Sequence, residues 1–293
     1  MAGRMSSETL TSAGKSLSEK VSTAAFWGRA YFQKHWAMNR APEFVHRPFL
    51  EKIEVCLKDW TPKGRPHLPH GVRLITCLDE DYPEELLETD PPPLAIFTKG
   101  EWRPDAIRMA VVGSRKPTAY SLRITRACMK SWVEAGFEVV SGGAFGLDAE
   151  AHRAALDFGG RTLVVMGSGF QHLYPKAHRL LFQEILDRGG VWISEYPPNT
   201  EPHARFFPER NRIIAALGHS LFLAQAHLKS GSMITAKKAL ELGREIFVLR
   251  PPSEDANFEG SRQLLESGAI PVSDPQDWML FYHPDKPRPH ELI

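Results

Sequence analysis

The stretch MAVVGSRKPTAYSLRITRACMKSWVEAGFEVVSGG, from Met109 to Gly143, decides the fold of this chain. It contains two short apolar runs, MAVV and EVV, and a glycine loop follows each of them. Between the runs lies a segment with the spacing of a helix, from about Tyr120 to Ala135. A strand, a glycine loop, a helix and a second strand in this order predict a βαβ unit with parallel strands.

The same alternation of apolar runs and helical segments continues along the chain. The runs TLVVM, VWIS, LFLA and IFVL follow in turn, with helical spacing after Leu147, from about Ala177, and before Gly243. These runs lack a polar face, which is typical of parallel strands covered on both sides. The pattern therefore predicts an α/β fold with a mostly parallel sheet and helices on both faces.

The chain before this region has a different character. Aromatic and apolar residues up to Trp60 recur at helical rather than strand spacing, and the stretch TPKGRPHLPHG that follows is rich in Pro and Gly. We therefore predict these regions: a disordered segment at 1–20, a small helical domain at 21–60, a linker at 61–78, the α/β domain at 79–280 and a short tail at 281–293.

The composition argues against several classes of protein. With 293 residues and a formal net charge of +1, the chain has no global field that would draw it to nucleic acid. Its three cysteines, Cys56, Cys77 and Cys128, have neither the pairing of a disulfide scaffold nor the spacing of a zinc site. The sequence shows neither the apolar core of a signal peptide nor a run long enough to span a membrane, so we expect a cytoplasmic protein.

Glycine-rich loops follow three of the predicted strands. They are Gly113-Ser114-Arg115, the SGGAFG loop from Ser141 to Gly146, and Gly167-Ser168-Gly169. Because ligands bind at the carboxyl ends of parallel strands, these loops predict a phosphate-binding edge, with Asp148 capping or orienting the second loop. The first loop alone is about equally compatible with a tight turn. The third has His172 where a dinucleotide fingerprint requires glycine, which argues against NAD or FAD.

The stretch from Phe206 to Thr235 combines aromatic and basic residues. Phe206 and Phe207 offer a flat face for an unstacked base, and Arg210 and Arg212 offer charge that does not titrate away. The two phenylalanines are equally compatible with the core. We expect one of them to pack and the other to be available to a base.

A second anion site is predicted at the turn Lys229-Ser230-Gly231-Ser232, which opens a helix. Gly231 permits the close approach of a ligand, and Ser230 and Ser232 can cap the helix. The N-terminus of a helix attracts an anion, and Lys229 stands beside it.

Catalytic and metal-binding alternatives have less support. Asp148 and His152 lie one helical turn apart, but the sequence shows no further metal ligand nearby. Glu195 ends a strand without an evident partner that would tune it as a general base. Ser230 and Ser232 have no evident His and Asp partners for nucleophilic catalysis. We predict no catalytic residue, no metal and no cofactor.

Several motifs, in order along the chain, resemble the DprA/Smf family, the DNA-processing proteins of bacterial transformation. They are VVGSR, SGGAFGLDAEAH, GSGFQHLYP, ISEYPP, FPERNRIIAAL, SGSMITAKKA and GREIFV. The resemblance implies an extended Rossmann-like domain that binds single-stranded DNA without strong sequence preference, forms a homodimer and helps to load the RecA recombinase. By position, it implies a DNA pocket formed by Gly113, Ser114, Arg115, Gly142, Gly143, Phe207, Arg210, Asn211, Lys229 and Ser230.

The chain departs from that family at several points. His178 stands where Asn is usual after Tyr-Pro, and Arg250-Pro251-Pro252 replaces Val-Pro-Gly. A helix-hairpin-helix signature is not evident before Trp60, and only 15 residues follow Trp278, where many members carry a winged helix. Two rival functions stay open: a nucleotide-processing enzyme, whose PGGxGT motif this chain lacks, and a nucleotide-binding sensor that has lost its DNA affinity.

Overall fold

The computed structural model describes residues 17–38, 49–59, 67–252 and 255–280, and a nine-stranded sheet forms the centre of that part of the chain. The strands are β1 (Val72–Thr76), β2 (Ala95–Gly100), β3 (Arg108–Val112), β4 (Glu138–Ser141), β5 (Thr162–Met166), β6 (Val191–Ser194), β7 (Ser220–Leu223), β8 (Glu245–Leu249) and β9 (Ile270–Val272). Every residue of β3, β4, β5, β6 and β7 is buried, as expected for apolar runs covered on both faces.

The strand order is β1-β2-β6-β5-β4-β3-β7-β8-β9. Neighbours from β6 through to β9 pair in parallel, whereas β2 pairs antiparallel with both β1 and β6. The chain thus runs outward from β3 to β6, crosses back, and continues from β7 on the other side of β3. This reversal makes a switch point between the carboxyl ends of β3 and β7, where open α/β sheets bind ligands.

Helices cover both faces of the sheet. In the described part of the chain they are α1 (Leu17–Trp27), α2 (Arg29–Met38), α3 (Phe49–Cys56), α4 (Ala119–Glu134), α5 (Leu147–Asp157), α6 (Arg179–Asp187), α7 (Phe206–Leu217), α8 (Gly231–Glu241) and α9 (Glu259–Glu266). Met109 and Val111 of β3 pack with α4 and α5, whereas Ala110 and Val112 pack with α7 and α8. Successive strand residues point to opposite faces, so each apolar run supplies two cores.

The N-terminal helices pack on the β1-β2 edge of the sheet. Val21 of α1, Phe32 of α2 and Ile53 of α3 share a core cluster with Leu94 and Ala95 at the start of β2. Apolar helix faces that are too small to form a core alone are buried in this way against a larger neighbour.

Two of the predicted regions need correction in part. Strand β1 lies inside 61–78, so that segment supplies an edge strand of the sheet and is not a free linker throughout. Helix α1 begins at Leu17, inside the segment 1–20 that was predicted to be disordered. Residues 1–16 and the predicted tail at 281–293 lie outside the described residues, and the other boundaries stay predictions.

The predicted fold class is confirmed: the sheet is mostly parallel, helices lie on both faces, and a small helical region precedes it. Among the described residues, the helices are all too short or too polar to cross a membrane. The same part of the chain holds no group of three or more His, Cys, Asp or Glu side chains placed to bind a metal ion.

Candidate nucleic-acid interface

The carboxyl edge of the sheet brings together the loops after β3 and β4 and the starts of α7 and α8. The main-chain N–H of Leu147, at the start of α5, donates to the carbonyl oxygen of Ser114 at 3.1 Å, which ties the two loops to each other. The side chain of Asn211 on α7 donates to the carbonyl oxygen of Gly231 on α8 at 3.2 Å. The predicted site residues therefore lie along one edge of the molecule.

The loop after β3 presents a free positive charge. A Cβ on Gly113 would collide with the Leu147 side chain, so the fold itself requires glycine there. The Ser114 hydroxyl accepts a hydrogen bond from the Lys116 main-chain N–H at 3.1 Å. Arg115 is exposed, and within the described part of the chain its guanidinium makes no hydrogen bond or ion pair. Arg115 is thus available to an anion.

The glycines of the loop after β4 are required by what lies beneath them. A Cβ on Gly142 would come within 2.6 Å of the Arg210 guanidinium, and one on Gly143 within 2.7 Å of Phe182. Gly143 also has a positive φ of 67°. His178 Nδ1–H donates to the Gly143 carbonyl oxygen at 2.9 Å. The histidine that stands where the family usually has Asn therefore stabilises this loop.

Arg210 is buried below that loop. Its Nη1 donates to the carbonyl oxygens of Gly142, at 2.8 Å, and of Val165. Burial lowers the pKa of Arg210 to about 10, although the nearby Asp148 charge acts in the opposite direction. Burial has the opposite effect on the carboxylic acid and raises the pKa of Asp148. The Asp148 carboxylate accepts a hydrogen bond from the main-chain N–H of Ala144 at 3.3 Å. Arg210 therefore holds the β4 loop to β5, which departs from the sequence expectation that it contacts DNA directly.

The two phenylalanines at the start of α7 face different surroundings. The Phe206 ring packs against Tyr196, with 4.3 Å between the ring centroids. The Phe207 ring lies over the main chain at Gly167, where a Cβ would come within 2.9 Å of it, and stands 5.1 Å from the Tyr174 ring. Phe207 is half-buried and Tyr174 is 47% exposed, so these two rings can offer a face to a base.

Arg212, the second basic residue of FPERNR, belongs to a buried ion-pair network. Its guanidinium lies 2.8 Å from the carboxylate of Glu195, and Arg29 of α2 approaches the same carboxylate at 3.0 Å. Burial alone would raise the pKa of Glu195, but the charges of Arg212 and Arg29 outweigh it and lower this pKa to about 2. Glu195 thus stays ionised and is a poor general base at neutral pH.

Arg29 also joins the N-terminal helices to α7. Its guanidinium lies 2.9 Å from the carboxylate of Glu209 and 4.3 Å from the centroid of the Tyr196 ring. These contacts join α2 to α7, the helix that carries Phe207, so the N-terminal helices help to hold α7 in position.

The start of α8 leaves the Lys229 amino group and the space beside Gly231 open. The Ser230 hydroxyl accepts from the Met233 main-chain N–H and lies 2.8 Å from the hydroxyl of Ser232, as expected for an N-cap. Lys229 is exposed, and its amino group makes no hydrogen bond or ion pair within the described residues. A Cβ on Gly231 would meet nothing within 4 Å, so the fold leaves open space beside this glycine.

His152, considered with Asp148 as a metal ligand, is buried in the helix layer. Its Nδ1–H donates to the Thr162 hydroxyl, which in turn donates to the Val139 carbonyl oxygen at 2.9 Å. Burial lowers the pKa of His152 to about 3, with further lowering by the charges of His178 and Arg210. A buried, neutral imidazole of this kind packs the core and does not reach the carboxyl edge.

Comparison with known proteins places this chain in a family. Residues 73–283 match the family model described as DNA recombination-mediator protein A. The chain belongs to this family. Protein Smf of Escherichia coli is 38% identical to this chain over 257 residues, which cover 85% of this chain and 67% of the E. coli protein. The chain thus spans about two thirds of the length of that relative.

Two solved structures of DNA processing protein A resemble the fold of this family member. The protein from Streptococcus pneumoniae matches with a TM-score of 0.69 and 27% identity, over 91% of this chain and 96% of the other. The protein from Helicobacter pylori, described for its unique single-stranded DNA binding mode, matches with a TM-score of 0.65 and 29% identity, over 72% of this chain and 97% of the other.

Sequence reasoning missed two contributors to this site in the recombination-mediator chain, Tyr174 and Arg29. The contact of Tyr174 with Phe207 depends on the path of the loop after β5, which the sequence alone does not give. Arg29 and Glu195 are 166 residues apart, and the sequence held no signal that would pair them. A Tyr-Pro dipeptide directly before basic residues was the available signal for Tyr174 as a surface aromatic.

Proposed function

We propose that this protein binds single-stranded DNA without strong sequence preference at the carboxyl edge of its sheet. One observation carries the proposal: two exposed cations without partners in the described residues, Arg115 and Lys229, share this edge with the half-buried Phe207 ring. In the sheet, β5 beneath Phe207 is followed by β4, by β3 with Arg115 and by β7 with Lys229. Charge in a row beside an aromatic face suits an unpaired strand.

The proposed mechanism uses charge and stacking. Phosphates dock beside Arg115 and at the start of α8, where Lys229 is exposed and the space beside Gly231 is open. One base stacks on Phe207, an interaction worth ~1–3 kcal/mol. Gly142, Gly143 and Arg210 shape the floor, and Asn211 keeps α8 in register with α7. Duplex DNA is disfavoured because its paired, stacked bases cannot reach Phe207.

The wider role follows from the family. We infer that the protein acts in homologous recombination and transformation, helps to load the RecA recombinase onto the bound strand, works as a homodimer in the cytoplasm, and performs no catalysis. The description of the family as recombination mediators and the single-stranded DNA binding described for the H. pylori protein support this inference. A nucleotide-binding sensor or nucleotide-processing enzyme on the same fold is the rival.

Fluorescence anisotropy with labelled oligo-dT and a matched duplex tests the DNA-binding proposal. Wild type is expected to prefer the single strand, with affinity that falls steeply as salt rises. Arg115→Ala should weaken binding of any sequence about tenfold. Lys130→Ala, at the far end of α4, is the matched control and should bind as wild type. A wild type that binds neither DNA, or that binds duplex as well as the single strand, would contradict the proposal.

A further inference from the structure

A second basic surface adjoins the candidate site. It is a groove of about 930 Å³, here called the side groove, and its lining includes Lys99, Phe170, Tyr174, Lys176, Arg179 and Trp192. Tyr174 and Lys176 come from the loop after β5, and Arg179 opens α6. Lys99 on β2 and Trp192 on β6 are register partners in the sheet. The side groove therefore leaves the carboxyl edge at Tyr174 and runs along the face of β6 and β2.

The charge of the side groove selects an anion. Lys176 and Arg179 are exposed, and neither makes a hydrogen bond or ion pair within the described part of the chain. The Lys99 amino group lies over the Trp192 ring, 5.3 Å from its centroid. Glu201 is the acidic residue of the lining, against these three basic ones. Cations that are not neutralised within the fold favour a negatively charged ligand.

Aromatic rings connect the side groove to the candidate site. The Tyr174 ring lines the groove and lies 5.1 Å from the Phe207 ring, with an interplanar angle of 46°. Phe170 and Trp192 are buried beneath the groove, with 5.7 Å between their ring centroids, so of these rings Tyr174 is the one that a base can reach. Phosphate partners beside an exposed ring are features that suit a single strand.

We propose that the side groove binds the nucleotides of the single strand that follow the one stacked on Phe207. The strand turns at Tyr174 and places its next phosphates beside Lys176 and Arg179. This extension rests on the proposed function, because the strand reaches the groove from the Phe207 side. Lys176 and Arg179 are both exposed beside the exposed Tyr174 ring, which fits successive phosphates of a chain that turns at this ring.

The experiment compares two lengths of labelled oligo-dT, about four and about twelve nucleotides, within the range of site sizes known for single-strand binders. The variant is Lys176→Ala/Arg179→Ala, and the matched control removes two exposed lysines elsewhere, Lys130→Ala/Lys237→Ala. Arg115→Ala is measured alongside, because it should weaken both lengths if the short strand occupies the candidate site. Thermal unfolding of every variant establishes that each is folded.

The groove variant should bind the long strand about tenfold more weakly than wild type and the short strand equally well. The slope of log affinity against log salt for the long strand should fall by about 1.4, at ~0.7 per lost phosphate contact. The control should match wild type. Long-strand binding that equals the control would overturn the side groove alone, as would an equal loss for both lengths. A wild type that binds neither length would overturn the proposed function, and the groove proposal with it.

Discussion

The loop after β4 and the loop after β7 both place glycine beside a basic side chain, yet they use these residues in opposite ways. In the β4 loop, Gly143 has no room for a Cβ, and the neighbouring Arg210 is buried against main-chain carbonyl oxygens. In the β7 loop, Gly231 has open space beside it and Lys229 is exposed. In the β4 loop the glycine and the arginine stabilise the fold, whereas in the β7 loop the glycine and the lysine are accessible to a ligand.

This difference separates stability from binding within one site. Substitutions in the β4 loop should lower the free energy of unfolding, because they remove hydrogen bonds or create collisions in the interior. Substitutions in the β7 loop should lower DNA affinity and leave the free energy of unfolding nearly unchanged. Measuring both quantities on each variant therefore tests the comparison directly.

The largest effect is expected for Arg210→Ala. The substitution leaves the carbonyl oxygens of Gly142 and Val165 without their donor and opens a cavity in a buried position. An unsatisfied buried group costs about 1–3 kcal/mol, so we expect the free energy of unfolding to fall by about 2–4 kcal/mol. Urea denaturation measures it. An unchanged unfolding midpoint would mean that Arg210 does not hold the β4 loop to β5.

Gly143→Ala should follow, with a loss of about 1–3 kcal/mol in the free energy of unfolding. Its backbone has a φ of 67°, and the added Cβ would come within 2.7 Å of Phe182 and 2.8 Å of Val164. The paired variant Gly143→Ala/Phe182→Leu, measured against Phe182→Leu alone, relieves the collision with Phe182 but neither that with Val164 nor the backbone strain. Full recovery in this comparison would assign the cost to the contact with Phe182.

Lys229→Ala is expected to act on binding alone. The exposed amino group has no partner in the described residues, so the unfolding midpoint should match wild type. Affinity for oligo-dT should fall about fivefold, and the salt slope should decrease by about 0.7, as for one lost phosphate contact. Lys229→Arg keeps the charge and should retain most of the affinity. A shifted unfolding midpoint with unchanged affinity would reverse the roles assigned to the two loops.

The sequence predicted strands β3 to β8 and the glycine loops because buried parallel strands are continuous apolar runs with loops at one edge. It did not predict β1, β2 or β9. For β1 the reason is that VRLIT follows a Pro- and Gly-rich stretch that is typical of a linker. The role of Arg210 was also beyond it, since the carbonyl oxygens that it binds lie 45 and 68 residues away in the sequence. Local patterns show that an arginine is present but not whether the fold buries it.

The glycines illustrate the same limit at finer scale. Gly113, Gly143 and Gly231 all follow strands in motifs of similar appearance, and the sequence suggested close approach to a ligand for the last of them. In the structure, the neighbours of Gly113 and Gly143 explain why they lack a side chain, and those of Gly231 do not. Because no neighbour within the fold requires glycine at position 231, the close approach of a ligand is the explanation to test.

Gly231→Ala should give the smallest change in stability and the sharpest test of that explanation. The added Cβ meets nothing within 4 Å, and Gly231 is the first residue of α8. Alanine favours the helix over glycine, so the free energy of unfolding should be unchanged or rise by up to about 1 kcal/mol. Affinity for oligo-dT should nevertheless fall several-fold, because the methyl group occupies the space into which a phosphate would move.

The opposite signs make this variant informative. A substitution that weakens binding by damaging the fold lowers both quantities together, whereas Gly231→Ala is expected to lower affinity without lowering stability. Lys237→Ala, on the same helix and exposed, serves as the control for changes in helix propensity and charge. If Gly231→Ala binds oligo-dT as tightly as wild type, no phosphate approaches the start of α8. The strand would then have to be held by Arg115 and the Phe207 side of the edge.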